Sequence, residues 1–208
     1  MDDVDLTPLS TRTGDDGTTG LLFGGRVSKT DPVIEVCGAI DETVASLGLA
    51  RALLDDDDLR RLVLDLQRGL FVVAADVAAN PRARDRLRPG LSRVTAAMTA
   101  AVEETIERSL AVEPLRPAFV VPGADVPSAA LDVARTRLRA AERRLVAARE
   151  AGAIVDEVVL GYVNRASDLV YVLARRAAGR EEELSHEPEA SDTGTRPAAP
   201  GPAETDAA

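Results

Sequence analysis

Apolar residues recur at helical spacing over most of the chain. In the clearest stretch they lie three or four positions apart, which is typical of the buried stripe of a bundle helix, at Leu59, Leu62, Leu66, Leu70, Val73 and Val77. Similar spacing predicts a first helix over 34–54, a third over about 91–112, a fourth from about 127 to 152 and a fifth from about 154. Helices of this length with short connections predict an all-α, five-helix bundle.

The helical pattern is absent from both ends and from one connector. Residues 1–34 carry glycine, threonine and charge without lasting periodicity, which indicates a flexible loop or a short extended segment. Residues 119–123 are too short and too closely bounded by Pro and Gly to form a helix. From residue 181 the chain is rich in Glu, Pro, Ala and Thr, the composition of a disordered tail. We therefore predict an N-terminal loop segment 1–34, a helical domain 35–180 and a tail 181–208.

Composition refines this picture and excludes several partners. Of the 208 residues, 45% are apolar but only 2% aromatic, so the core must consist of Leu, Val and Ala, which suits helices better than a sheet. The net charge of −10 argues against a nucleic-acid partner, which requires a basic surface. The N-terminus lacks the features of a signal peptide, and no apolar run is long enough for a membrane span. We expect a cytoplasmic protein without a membrane partner.

The scarcity of histidine and cysteine limits the possible chemistry. His186 is the one histidine and falls in the predicted tail, and Cys37 is the one cysteine. A histidine base, a Ser-His-Asp arrangement and a zinc site are therefore not expected. Any reaction must depend on positioning and electrostatics, or on a nucleophile that the substrate brings.

The first candidate binding element is the loop formed by residues 11–20. It contains three glycines, four threonines and two aspartates, and Lys29, the single lysine of the chain, follows it closely. Glycines allow backbone N–H groups to approach an anion, and threonine hydroxyls add donors. The loop lacks the GK[ST] of a Walker A motif. Its composition alone fits an ordinary flexible arm better than a phosphate site.

A second candidate lies on the predicted fourth helix. Arg135, Arg139, Glu142 and Arg143 share one face because their spacing is i, i+4, i+7 and i+8. The planar guanidinium group suits phosphate oxygens. A solvated, salt-bridged face is the alternative explanation of such a cluster.

Two further polar positions interrupt apolar segments. Asn164 lies within the apolar fifth helix and indicates either a binding site or a hydrogen-bond network between helices. Asp41 and Glu42 follow small apolar residues, so we expect partial burial and a cationic partner, with Arg135 or Arg139 as candidates.

Six segments together resemble the PduO-type family of ATP:corrinoid adenosyltransferases. They occur in the order and spacing of that family and comprise TRTGDDGTT at 11–19, RVSK at 26–29, GAIDE at 38–42, FVVPG at 119–123, VARTRLRAAER at 133–143 and YVNRASD at 162–168.

The resemblance implies a trimeric five-helix bundle with active sites between subunits. The implied substrates are ATP with Mg²⁺ and a reduced corrinoid, cob(I)alamin, and no resident metal is expected. Co(I) attacks C5′ of ATP, which forms adenosylcobalamin and releases triphosphate, so no side-chain base is needed. A corrinoid reductase or an adenosylcobalamin-dependent enzyme is an implied protein partner.

The resemblance also implies a role for each site residue. Arg135 would pair with Asp41 across the subunit interface and, with Arg139, support the reacting geometry. Phe119 would flank the corrinoid and help displace its lower axial ligand. ATP would be held by two subunits, through Thr11, Arg12, Thr13, Gly14, Thr19, Gly20 and Lys29 of one and through Arg139, Glu142, Arg143 and Asn164 of its neighbour.

The chain departs from the family pattern at three positions, one within these segments and two that closely follow GAIDE. Val44 and Ala45 replace an asparagine and a serine, and Ala140 replaces an arginine. Val44, Ala140 and the tail motivate a second hypothesis, a trimer that binds ATP and a corrinoid as carrier or sensor with little transfer activity. A purely structural bundle is a third hypothesis, which leaves the ordered motifs unexplained.

Overall fold

The computed structural model describes residues 12–153, 156–179 and 182–186, and within these residues it contains five α-helices. The helical bundle predicted from the sequence is confirmed. A two-stranded antiparallel hairpin lies before the first helix and is an exception to the all-α prediction. The elements are β1 (Thr18–Gly20), β2 (Arg26–Ser28), α1 (Pro32–Leu53), α2 (Asp57–Val77), a 3-10 helix (Pro81–Arg86), α3 (Ala96–Val112), α4 (Val126–Glu150) and α5 (Glu157–Ala178).

Each α-helix begins after a side chain that caps its first turn. These side chains accept hydrogen bonds from backbone N–H groups that lack a helical partner. At α4 the cap is a complete capping box, in which Asp125 accepts from the Ser128 N–H at 2.7 Å and Ser128 accepts from the Asp125 N–H. The other capping residues are Asp31 for α1, Asp56 for α2, Thr95 for α3 and Asp156 for α5.

The third helix begins five residues later than the periodicity predicts. The preceding backbone is held in a different conformation, since the Val94 N–H donates to the carboxylate of Asp76 at 2.8 Å. Gly90 has a φ of 74°, and its N–H donates to the Arg93 carbonyl at 2.8 Å. A tertiary hydrogen bond and a turn therefore replace the first predicted turn of helix.

The core is built from aliphatic side chains between α1, α2, α4 and α5. The longest shared surface joins α1 to α4, while α3 packs against α5. Leu47, Leu70, Leu138 and Leu173 are fully buried, one from each of the four central helices. This matches the expected core of Leu, Val and Ala. No helix within the described ranges is long and apolar enough to cross a membrane.

The hairpin is attached to the end of α2. The Leu22 N–H donates to the Ala78 carbonyl at 2.8 Å, and the Asn80 N–H donates back to Leu22 at 2.9 Å. The Asn80 side chain donates to the Gly24 carbonyl at 2.7 Å. The N-terminal segment is therefore placed by the residues that end the second helix.

The start of the predicted disordered tail differs from expectation. Residues 182–186 lie beside the connector between α3 and α4, where Leu184 forms an antiparallel bridge with Val120. Residues 187–208 lie outside the described part of the chain.

Candidate functional site

The glycine loop is held in a curve by its own side chains. Asp16 accepts hydrogen bonds from the backbone N–H and the hydroxyl of Thr18, at 2.9 and 2.8 Å. These bonds, foremost the one from the backbone, lower the pKa of Asp16. Arg26 donates to the Thr18 hydroxyl at 2.9 Å and to the Thr13 carbonyl. The described part of the loop thus has a defined shape, and the strands β1 and β2 agree with the short extended segment that the sequence left open.

Lys29 lies against the glycines of this loop. The backbone N–H of Lys29 donates to the Gly17 carbonyl at 2.9 Å. A Cβ on Gly14 would lie 3.3 Å from the Lys29 Nζ atom and 3.3 Å from the Thr18 carbonyl, so a side chain there would crowd the ammonium group. Within the described ranges Lys29 forms no ion pair. Its charge is therefore available to an external anion.

The other loop residues predicted to contact ATP lie in or next to the hairpin. Thr19 and Gly20 lie on β1, paired with Val27 and Arg26 of β2. Arg12 is exposed and has a φ of 55°, which is uncommon for a residue with a side chain. The predicted ATP contact Thr11 lies outside the described residues.

The structure brings together two predicted site residues from different helices. The amide of Asn164 on α5 donates to the carboxylate of Glu142 on α4 at 2.8 Å. The side-chain amide oxygen of Asn164 accepts a hydrogen bond from Arg165 at 2.7 Å, and Arg165 also forms an ion pair with Asp168 at 2.8 Å. This polar network orients Asn164 and Glu142 at the junction of α4 and α5.

Arg139 and Arg143 lie next to this network on α4. Both are exposed, and Arg143 donates to the Arg139 carbonyl at 3.1 Å. Neither guanidinium group has a carboxylate partner among the described residues. Two unpaired arginines on one helix face form a surface suited to phosphate oxygens.

Arg135 is half-buried and stacks on an aromatic ring. Its guanidinium carbon lies 5.0 Å from the centre of the Tyr171 ring, an arrangement that stabilises a cation. Its Nε is buried and has no acceptor in the described part of the chain. A buried donor without an acceptor is costly, so this nitrogen is a point of the site where an added acceptor would be favourable.

The acidic pair of α1 does not contact the arginines proposed for it. Asp41 and Glu42 are exposed in the isolated subunit, contrary to the expected partial burial. Glu42 pairs with Arg137 at 3.0 Å, and not with Arg135 or Arg139. The packing of α1 on α4 places Arg137 opposite Glu42, a choice that spacing along α4 alone does not reveal.

Cys37 is unsuited to nucleophilic chemistry. Burial, together with the negative charge of nearby Asp41, raises the pKa of its thiol to about 11. The thiolate, which is the reactive form, is therefore scarce near neutral pH.

Phe119 stands out from the surface of the subunit. Its side chain is 82% exposed, although an isolated phenylalanine in a connector usually fills a core. Its carbonyl accepts from the Ser185 N–H at 2.8 Å, which ties its backbone to the segment 182–186. An exposed aromatic ring on a tethered backbone is a candidate contact for an apolar ligand.

Three residues that organise the site were given no role from the sequence, although two of them lie in its motifs. Arg26 shapes the glycine loop, Arg165 orients Asn164, and Tyr171 supports Arg135. Arg165 lies in the motif around Asn164 and Arg26 lies in the motif that contains Lys29, so each motif was the available signal. Tyr171 carried no comparable signal.

Comparison with known proteins agrees with the motifs. The profile of the cobalamin adenosyltransferase family matches residues 9–177. The chain is 37% identical to the corrinoid adenosyltransferase of Citrobacter freundii over 80% of this chain and 93% of that protein. It is 38% identical to the corrinoid adenosyltransferase of Mycobacterium tuberculosis over 84% of this chain and 90% of that protein. Identity to the corrinoid adenosyltransferase PduO of Salmonella typhimurium is 41%, over 80% of this chain but 48% of that protein, so the chain spans about half the length of that relative.

Solved structures show the same likeness. A variant of the PduO-type ATP:corrinoid adenosyltransferase of Lactobacillus reuteri, complexed with cobalamin and ATP, superposes with a TM-score of 0.76 at 28% identity. The match covers 86% of this chain and 100% of that one. A second variant of that enzyme, complexed with ATP, superposes with a TM-score of 0.74 at 27% identity. From the match over residues 9–177 and the relatives above 30% identity, the chain belongs to the cobalamin adenosyltransferase family.

Proposed function

We propose that this protein transfers the 5′-deoxyadenosyl group of ATP to the Co(I) centre of a reduced corrinoid. The proposal rests on one observation in this chain, which belongs to the cobalamin adenosyltransferase family. Three of its cations have no carboxylate partner among the described residues, namely Lys29, Arg139 and Arg143. An unpaired lysine beside a glycine loop and two unpaired arginines on α4 suit a triphosphate, which bears several negative charges.

The reaction requires little chemistry from the side chains. Co(I) supplies an electron pair to C5′ of ATP, a Co–C bond forms, and the bond from C5′ to the triphosphate oxygen breaks. The protein holds the two substrates in line and stabilises the charge on the departing triphosphate. ATP enters as its magnesium complex, and both ATP and the corrinoid are substrates.

We assign the nucleotide to the glycine loop of one subunit and the α4 face of its neighbour. The described contacts of Lys29 and Arg139 do not join these two residues within one subunit. The buried Nε of Arg135 lacks an acceptor, and exposed Asp41 is a suitable carboxylate from an adjacent copy. Large apolar side chains on α1 and α4, Leu49 and Val133, are 61% and 54% exposed, which supports burial against other copies. A homotrimer is the assembly we propose.

The corrinoid is assigned to the surface around Phe119. The ring is exposed and its backbone is tied to residues 182–186, so the ring can stand against a flat macrocycle. In this position it would exclude a ligand from the lower face of cobalt.

The test is an anaerobic assay of cob(I)alamin with ATP, followed by absorbance. We expect adenosylcobalamin from the unsubstituted chain and a loss of about 10²-fold in kcat/KM for Arg139→Ala, because one donor to the leaving group is removed. Arg144→Ala, an exposed arginine on the same helix, is the matched control and is expected to retain activity. Binding of ATP and corrinoid without a Co–C product would reject the transferase in favour of the carrier or sensor. If neither ligand changes the thermal midpoint, the structural bundle is the surviving hypothesis.

A further inference from the structure

Three charged side chains are buried together where α4, α5 and the segment 182–186 meet. Arg175 of α5 donates a hydrogen bond to Asp132 of α4 at 2.5 Å. Its Nε atom lies 3.0 Å from the Glu182 Oε1 atom as an ion pair, without the alignment of a hydrogen bond. The exposed fractions of the Arg175, Asp132 and Glu182 side chains are 8%, 11% and 5%. Buried charges are tolerated only when they are paired, so each carboxylate depends on the shared guanidinium group.

The residues that follow Glu182 hold the backbone around Phe119. The Val121 N–H donates to the Glu183 carbonyl at 2.8 Å, and the Ser185 N–H donates to the Phe119 carbonyl at 2.8 Å. Arg116 donates to the Glu182 carbonyl at 3.3 Å from the other end of the connector. We call residues 182–186 the strap.

The strap is too short to stay in place through these backbone bonds alone. Two strands with so few paired residues are not stable in water without an additional anchor. The ion pair between Glu182 and Arg175 supplies a buried anchor, and Asp132 on α4 holds Arg175 in turn.

We infer that Glu182 is a positioning residue for the corrinoid side of the reaction. Its ion pair with Arg175 fixes the strap, and the strap fixes the backbone from which the exposed Phe119 ring projects. The inference rests on the proposed function, in which Phe119 contacts the corrinoid. It adds a chain of contacts from the bundle core to that ring.

The first measurement is amide hydrogen exchange of the full chain without ligand. Glu182→Gln is expected to speed exchange at Val121 and Ser185 about tenfold and to leave the amides of α2 unchanged. Arg175 keeps its partner Asp132, so the fold is retained. Glu183→Gln removes the same charge from an exposed neighbour in the strap and is expected to leave exchange unchanged. Unchanged exchange in Glu182→Gln, or equal acceleration in the control, overturns the inference.

The second measurement is steady-state kinetics with each substrate varied. We expect Glu182→Gln to raise KM for cob(I)alamin about tenfold and to leave KM for ATP unchanged, because a displaced ring affects the corrinoid site alone. Added to Phe119→Ala, the same substitution is expected to cause no further loss. Loosened exchange with an unchanged corrinoid KM overturns the positioning role. An unsubstituted chain without transferase activity rejects the proposed function instead, and the exchange measurement still decides whether Glu182 anchors the strap.

Discussion

At the scale of single residues, a glycine in α2 permits a close approach between two helices. An ideal Cβ on Gly69 would lie 1.8 Å from the Tyr162 Oη atom and 2.8 Å from its Cζ atom, well inside van der Waals contact. Tyr162 lies on α5 and is only 3% exposed, and burial raises the pKa of its hydroxyl to about 12. The tyrosine ring therefore has little room to move away. The need for glycine opposite this ring was not predicted from the sequence.

We predict that Gly69→Ala destabilises the protein by about 2 kcal/mol, because overpacking a closed contact displaces side chains or backbone. Gly161→Ala is the matched control, since no atom lies within 4 Å of the added Cβ and alanine favours the helix by up to about 1 kcal/mol. Denaturant unfolding at one protein concentration measures both. Equal stability of the two variants would contradict the close contact, and Tyr162→Phe should restore part of the loss in Gly69→Ala.

At the scale of elements, one buried carboxylate joins the end of α2 to the next two helices. Asp76 is 1% exposed and accepts from Arg84 of the 3-10 helix at 2.5 Å and from the Val94 N–H at 2.8 Å. Arg84 also donates to the Asp76 carbonyl at 2.9 Å. Asp76 therefore determines where α3 begins, and it also orients the segment that carries Asn80, to which the hairpin is attached.

We predict that Asp76→Ala costs about 3 kcal/mol of folding stability, because it leaves a partly buried arginine and a backbone donor unpaired. The control Asp65→Ala removes the surface partner of Arg68. The Asp65 side chain is 58% exposed and that of Arg68 is 70% exposed, so the loss should cost under about 1 kcal/mol. Chemical denaturation followed by circular dichroism compares the two. A cost for Asp76→Ala no greater than that of the control would show that the 3-10 helix and α3 are placed by other contacts.

At the scale of the whole molecule, the proposed site needs two subunits. Lys29 directly follows the hairpin that is attached to the end of α2, whereas Arg139 and the Glu142–Asn164 contact belong to α4 and α5. A loop from one copy and a helix face from another can combine into one site if the copies assemble as a closed ring. Substitutions in the two halves should then complement each other.

We predict that Lys29→Ala and Arg139→Ala chains are each nearly inactive alone but recover activity when refolded together. Random assembly at equal amounts gives about a quarter of the sites an intact loop and an intact helix face from different subunits. Initial rates of adenosylcobalamin formation measure the recovery, and two Arg139→Ala preparations mixed in the same way are the control. If the mixed sample is as inactive as its two components, the prediction is wrong. Lys29 and Arg139 would then lie in a site within one subunit, or at least one of them would lie outside the site.

The sequence by itself determined the number and approximate extent of the helices, the composition of the core and the family. Helical spacing and capping side chains are local, so they can be recognised from neighbours along the chain. Only the tertiary structure decided the pairing of Glu142 with Asn164, of Glu42 with Arg137 and of the strap with the Phe119 connector. The late start of α3 also depends on a tertiary contact, the hydrogen bond from the Val94 N–H to the Asp76 carboxylate 18 residues away. Contacts of this kind depend on how packed helices align, which local periodicity does not encode.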